Sequence, residues 1–345
     1  MQGKYKALIN NIDEAQGNIN SKTVAKIAGV SQATVSRVFN SQVKIKEETK
    51  QRVLDVAQRM GYRPNAIARS LTSRRSNLVA IVSIDIVNPY YHSNILKITS
   101  EIQKSGRQTL FFVSPHEQKL DDVLVQVLQY QVDAVIVMSA VLSTQMIREC
   151  ARVRVPVVVF NKYTADETVL SVCSDNVGAG WLVANYLFEK GHQKYAFIGS
   201  ETFSGTSSDR QKGFLDCLET KGVRDCIIRN ASYTYREGYE AMRSILLDGL
   251  RPDAVFCVAD LIALGAMDAA RSKFALDIPH DIAIVGFDNI AETSFDAYRL
   301  TTMEQNVDEM IDKTFEYLNS RLSGNLSLCG GSHLFKCKMI ERASA

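Results

Sequence analysis

The feature that most constrains this chain is an alternation that begins at Leu78. Seven apolar runs rich in β-formers follow one another: LVAIVSI, TLFFV, AVIVM, PVVVF, YAFIG, AVFCV and IAIVGF. Helical spacing lies between most of them, as in Ile95/Ile98/Ile102, Val123/Val127/Leu128, Leu182/Leu187 and Ile262/Met267. Strands that are apolar throughout are buried on both faces, which means parallel sheets covered by helices. About 265 residues of this pattern exceed one sheet, so two α/β lobes are expected.

The residues before Leu78 follow a different rule. Asn20 is a natural N-cap for a first short helix with Val24 and Ile27 on one face, Ile19 and Val24 stand at the positions of a hydrophobic staple, and Gly29 is the stop. Ser31 caps a second helix that turns Val35, Val38 and Phe39 inward. A third runs from about Glu47 to Met60, with Val53, Val56, Ala57 and Met60 on one stripe and Gly61 as its end. Pro64-Asn65 then breaks the chain before Ala66–Ser70 and Leu71.

Charge separates the same two regions. Residues 1–76 hold 14 Lys/Arg against five acids, a net of +9, whereas the rest of the chain carries −7. A basic arm on an acidic body suits a nucleic-acid-binding module joined to a domain of another kind. No apolar run approaches the ~20 residues that span a bilayer, and the start, MQGKYKALINNIDEAQGN, does not read as a secretory signal. Seven scattered cysteines without a CxxC pair fit reduced thiols in a cytoplasm. The five histidines show no metal spacing, and the one hint of a dinucleotide loop, Gly178-Ala179-Gly180, fails because its third glycine would fall at Val183. Neither a metal nor a cofactor is expected.

Segment 20–40, NSKTVAKIAGVSQATVSRVFN, has the helix, glycine turn and second helix that present a helix end to a DNA major groove. With Val35, Val38 and Phe39 inward, Gln32, Ala33, Ser36 and Arg37 face out. Gln and Arg can each make paired hydrogen bonds to a base edge, and Ala can touch a thymine methyl. Ser31 and Thr34 suit phosphate oxygens, and Lys22, Lys44, Lys46 and Lys50 would add phosphate attraction.

TVAKIAGVSQATVSRVFN followed by KEETKQRVLDVAQRMGYRPNAIARSL resembles the amino-terminal domain of the LacI/GalR family of bacterial transcription regulators. The resemblance continues through NPYY, DNVGAG, GHQKYAFIG, DRQKGF, ADLIALGA, IAIVGFDNI and LTTMEQ, so it covers about residues 19–342 in family order. It implies an all-α helix-turn-helix domain plus hinge, joined to a two-lobed α/β effector domain like a periplasmic sugar-binding protein. Gln32, Ala33 and Arg37 become base readers, and Leu71, with Ala68 beside it, a hinge wedge for the minor groove. The effector positions it implies are Tyr90, Tyr91, Asn161, Arg210, Tyr233 and Asp288: aromatic faces for a sugar ring, and paired polar groups for hydroxyls or a carboxylate. Two departures stand out. Lys46 replaces the usual Ser or Thr cap of the third helix, and Ala259 stands where relatives often carry a ligand-binding Asn.

The expected organisation is a polar extension (1–18), a DNA-binding domain (19–64), a hinge (65–76) and an effector and dimerisation domain (77–345). Its first lobe takes about 77–174 plus 304–330, and its second about 175–303 plus the C-terminal segment. The expected function is a cytoplasmic regulator, a repressor rather than an activator, whose affinity for a pseudo-palindromic operator is set by a sugar or related metabolite. It would act as a homodimer or tetramer, without enzymatic activity. The alternatives are a small-molecule-binding protein of the periplasmic type without DNA function, which the basic head opposes, and an enzyme, for which no nucleophile motif or phosphate loop is present.

Overall fold

A computed structural model describes residues 19–39, 45–64, 75–84, 88–114, 120–138, 140, 142–164, 166–200, 205–325 and 330–345. The extension 1–18, Lys44, and the hinge residues Ala68 and Leu71 lie outside the described residues. The chain divides into two compact units, Met1–Ser76 and Asn77–Ala345.

The first unit contains α1 (Ser21–Ala28), α2 (Gln32–Val38) and α3 (Glu47–Arg59). Asn20 caps α1 by accepting the N–H groups of Lys22 (3.0 Å) and Thr23 (3.2 Å), and Gly29 ends it at φ 65°, a left-handed position that suits glycine. Ser31 caps α2 through the Thr34 N–H. Lys46 makes no side-chain cap for α3, and Glu47 and Glu48 place negative charge in its first turn instead. Val24, Ala28, Val35, Val38, Val53, Val56, Ala57 and Met60 form one small core. Ile19 stays 43% exposed, so the expected staple is weak.

The second unit is built on two six-stranded sheets. The first contains β1 (Leu78–Ser83), β2 (Gln108–Val113), β3 (Ala134–Met138), β4 (Val157–Phe160), β5 (Leu170–Ser174) and β11 (Gly331–Phe335), in the order β11-β5-β4-β3-β1-β2, all parallel. The second contains β6 (Tyr195–Gly199), β7 (Cys226–Asn230), β8 (Ala254–Cys257), β9 (Ala283–Phe287), β10 (Thr301–Glu304) and β12 (Lys338–Ile340), in the order β12-β10-β9-β8-β6-β7. Only the β10/β12 pair is antiparallel. The intervening helices are α4 (Pro89–Lys104), α5 (Leu120–Gln129), α6 (Thr144–Arg152), α7 (Asn176–Glu189), α8 (Gly205–Thr220), α9 (Tyr235–Leu247), α10 (Asp260–Phe274) and α11 (Val307–Leu322).

The chain crosses between sheets three times, after β5, after β10 and between β11 and β12. The first sheet therefore extends to Phe335, beyond the expected boundary at residue 330. The pattern of β11, GSHLF with Leu334 exposed, has no apolar run to announce a strand, and pairing with β5 creates it. The apolar runs likewise omitted β5, β7, β10 and β12.

Two glycine contacts fix α7 against α8. A Cβ at Gly180 would lie 2.9 Å from the Phe214 nitrogen, and one at Gly213 would lie 2.8 Å from the Val177 carbonyl carbon. The helices therefore meet backbone to backbone. This is the role of the Gly178-Ala179-Gly180 string: it sits in α7, behind the Asp175 cap that accepts the Gly178 N–H at 2.9 Å.

Candidate nucleic-acid interface and effector cleft

In the first unit, burial of Val35 and Val38 leaves Gln32, Ala33, Ser36 and Arg37 exposed on the opposite side of α2. Lys22, Lys46 and Lys50 are exposed as well, the last 3.4 Å from Glu47. Three of the expected polar groups are engaged within the domain. Gln32 Nε2 donates to Ser21 Oγ at 2.9 Å, and the Ser31 and Thr34 hydroxyls share a 2.9 Å hydrogen bond. The N–H and O–H groups so used would have to exchange those bonds to serve on a nucleic acid. The Gln32–Ser21 contact was not legible in the sequence, because it joins residues on different helices.

In the second unit, the expected effector residues follow the carboxyl ends of strands, where open α/β sheets place ligands. Asn161 follows β4 and Asp288 follows β9. Both occupy left-handed backbone, φ 61° and φ 117°, which is unusual for residues other than glycine and often accompanies function. Tyr90 and Tyr91 begin α4, capped by Asn88. Their rings meet edge to face with centroids 5.2 Å apart, and Asn161 Nδ2 donates to the Tyr91 hydroxyl at 3.0 Å. The Tyr90 hydroxyl is buried, and no hydrogen bond to the protein satisfies it. Burial first, then the charge of Asp288, pushes its pKa well above the usual tyrosine range.

Arg210 on α8 is 3% exposed and held on three sides. Its Nε donates to Asn176 Oδ1 at 2.8 Å, its Nη1 donates to the Val258 carbonyl at 2.7 Å, and the guanidinium stacks 3.4 Å from the Phe287 ring centroid. The glycine-mediated approach of α7 to α8 is what brings Asn176 within reach. Asn176 was inconspicuous in the sequence, although it lies in the DNVGAG string. These bonds and ring contacts do not extend to Tyr233, which follows β7 half-buried against the core.

Three further residues matter that the sequence did not single out. Lys162, beside Asn161, is buried; burial raises the pKa of Asp209, and the charges of Arg210 and then Lys162 oppose that rise. Gln305, 4% exposed on the second crossover, accepts from Ser174 Oγ (2.6 Å) and donates to Asp288 Oδ1 (2.7 Å), so it ties two crossovers to one effector position. Asp260 is fully buried behind Asp288, accepting from Ile290 N (2.9 Å) and the Thr302 hydroxyl (2.6 Å). Burial, and then Asp288, raises its pKa. Ala259 caps α10 from a fully buried position with no side-chain hydrogen bond.

A cavity of about 370 Å³ opens beside these groups, bounded by α4, the loop after β9, and the second and third crossovers. Tyr90 and Asp288 belong to its lining, whereas Tyr91, Asn161, Arg210 and Tyr233 do not. No group of metal-ligating side chains occurs among the described residues, and no helix among them is long and apolar enough to cross a membrane.

Residues 22–65 match the family model described as bacterial regulatory proteins, lacI family. Residues 76–319 match the one described as periplasmic binding proteins and sugar binding domain of LacI family. Catabolite control protein A of Priestia megaterium is 32% identical over 84% of this chain and 88% of its own. The transcriptional repressor PurR of Serratia proteamaculans is 32% identical over 94% and 96%. Among solved structures, the lac repressor dimer bound to operator and the anti-inducer ONPF superposes with a TM-score of 0.85 at 21% identity, covering 95% of this chain and 99% of that one. The two units, their order along the chain and the relatives at this identity agree: the chain belongs to the LacI family of bacterial DNA-binding regulatory proteins, with an amino-terminal regulatory domain and a two-lobed sugar-binding-type body.

Proposed function

We propose that this chain is a cytoplasmic repressor that binds a pseudo-palindromic operator as a homodimer, with an operator affinity set by a small effector, a sugar or related metabolite, held between its lobes. The observation that carries the reading is the exposed face of α2. Gln32, Ala33, Ser36 and Arg37 stand clear of a packed three-helix core, in the same chain as a polar interlobe cavity. Gln32, Ala33 and Arg37 read base edges, while Ser31, Thr34, Lys22, Lys44, Lys46 and Lys50 hold phosphates. Ala68 and Leu71 enter the minor groove, and a segment this short becomes helical only when packed against a partner over DNA. Tyr90, Tyr91, Asn161, Arg210, Tyr233 and Asp288 contact the effector. The chain performs no catalysis in this reading.

The relatives support repression: PurR is named a repressor, and the lac repressor structure contains operator and anti-inducer. The test is selection of genomic fragments by purified protein, followed by mobility shifts at several salt concentrations with and without metabolites. A preferred fragment, bound with a steep inverse salt dependence and altered by a metabolite, is expected. Equal binding to random duplex under all conditions would remove the proposal.

A further inference from the structure

The exposed face of α2 contains one contact that fixes the amide of an expected base reader before any duplex arrives. Gln32 is the first residue of α2 and Ser21 the first of α1, and Gln32 Nε2 donates to Ser21 Oγ at 2.9 Å. Both ends of this bond start from held backbone. Asn20 caps the turn that carries Ser21, and Ser31, whose Oγ accepts the Thr34 N–H at 3.1 Å, caps the turn that carries Gln32. Val24, Ala25 and Ala28 of α1 share one core with Val35 and Val38 of α2, and this packing sets the separation of the two helices.

Ser21 is not needed for capping, because Asn20 supplies the oxygen that accepts the first N–H groups of α1. Among the described residues, its hydroxyl bonds to Gln32 and to no other group. Ser21 is half-buried and Gln32 exposed, so a supported hydroxyl holds a solvent-facing amide.

A carboxamide offers two N–H donors and one carbonyl acceptor. The bond to Ser21 uses one N–H and leaves one donor beside the acceptor Oε1. Adenine presents the complement of that pair in the major groove, an acceptor at N7 and a donor at N6. Guanine presents acceptors at both N7 and O6, so one of them would face Oε1 without a hydrogen between them. Cytosine has only the N4 donor and thymine only the O4 acceptor, so each engages half of the amide. A free glutamine side chain could turn its NH₂ group toward guanine, whereas one tied at Nε2 resists that turn. The tie therefore favours one base and penalises the others, and specificity needs both. It also removes rotamer freedom that a long side chain otherwise loses on docking.

We propose that Ser21 is a positioning residue that presets Gln32 as an adenine reader, keeping its 2.9 Å bond while Gln32 Oε1 and the second N–H meet N6 and N7 of the base. The assignment rests on the reading of α2 as the base-contacting helix. It adds the base that Gln32 selects and the residue that enforces the choice.

The test is selection of duplexes from a random library by the full-length protein, followed by competition binding of the recovered duplex and all its single-base variants. The position whose preference disappears in Gln32→Ala is the one Gln32 reads. Adenine is expected there, bound about tenfold better than any other base. Ser21→Val should reduce that preference to about threefold or less, leaving the preference lost in Arg37→Ala intact. Ser21→Thr has the shape of the valine variant but keeps the hydroxyl, so it should retain the adenine preference and melt together with Ser21→Val. Adding Ser21→Val to Gln32→Ala should change nothing further.

A different base preferred at the Gln32-dependent position, or full adenine preference in Ser21→Val, would overturn the proposal and leave α2 as the base-reading helix. An equal loss on every duplex in Ser21→Val would make Ser21 a phosphate contact and would also overturn it. A selected site in which no position responds to Gln32→Ala would remove Gln32 from the base readers, and the proposal with it. A protein that selects no site, while it still folds, would overturn the operator-binding reading itself and everything that rests on it.

Discussion

Replacing Gly213 by Ala tests how Arg210 is placed. The new Cβ would fall 2.8 Å from the Val177 carbonyl carbon and 3.0 Å from the Trp181 nitrogen, and these are main-chain atoms that cannot escape by changing rotamer. The helices α7 and α8 would have to separate by about 1 Å. Overpacking of this kind costs about 3 kcal/mol at its upper range, and the better helix propensity of Ala returns about 1 kcal/mol. The clash wins by roughly 2 kcal/mol, which for a unit of this size lowers Tm by about 4–8 °C. The same shift pulls Arg210 Nε from the Asn176 carboxamide, now 2.8 Å away, and from its stack on Phe287. Thermal unfolding of the full-length protein reads the first effect, and effector titration the second. A Tm within 1 °C of the parent, with effector affinity unchanged, would refute the backbone-to-backbone packing and the role given to it.

Arg37→Ala should weaken operator binding by about 1–3 kcal/mol and relax preference at one base position, as measured by mobility shift against single-base variants; a uniform loss across all sequences would make Arg37 a phosphate contact. Lys50→Ala should instead reduce the slope of log affinity against log salt by about 0.9, leaving base preference intact. Gln305→Leu leaves Ser174 Oγ and Asp288 without the bonds now at 2.6 and 2.7 Å, and should destabilise the effector domain by about 1–3 kcal/mol in urea unfolding while weakening effector binding. Asp260 has a folded pKa raised above its unfolded value by burial and by Asp288, so its contribution to stability is fully present below the unfolded pKa and lost as pH rises through the folded one. Asp260→Asn keeps one acceptor oxygen, for the Ile290 N–H, and turns an amide donor toward the Thr302 hydroxyl; it should flatten the decline of stability as pH rises toward about 7, and an unchanged profile would show that another group sets it.

The chain's two halves were legible because each carries a strong local signal. Seven apolar runs gave most of the strands, and capped, periodic segments gave the three helices of the basic head, including the side of α2 that faces out. Strands β5, β7, β10, β11 and β12 escaped because their sequences, such as TTME and GSHLF, become strands only through their neighbours.

The candidate site divides in the same way. Motif strings carried by a family resemblance pointed to Arg210, Asp288, Asn161 and the tyrosines, residues whose identity is visible without any fold. Asn176, Lys162, Asp260 and Gln305 were hidden, because each matters through a partner remote in sequence: Asn176 meets Arg210 across 34 positions, and Gln305 meets Ser174 across 131. Sequence alone therefore determined the kinds of domain, the polarity of their faces and the residue types offered to ligands, since these follow from local periodicity and composition. Tertiary structure decided which donors and acceptors are already satisfied and which remain for a ligand, because hydrogen-bond satisfaction is a property of atoms brought together by packing.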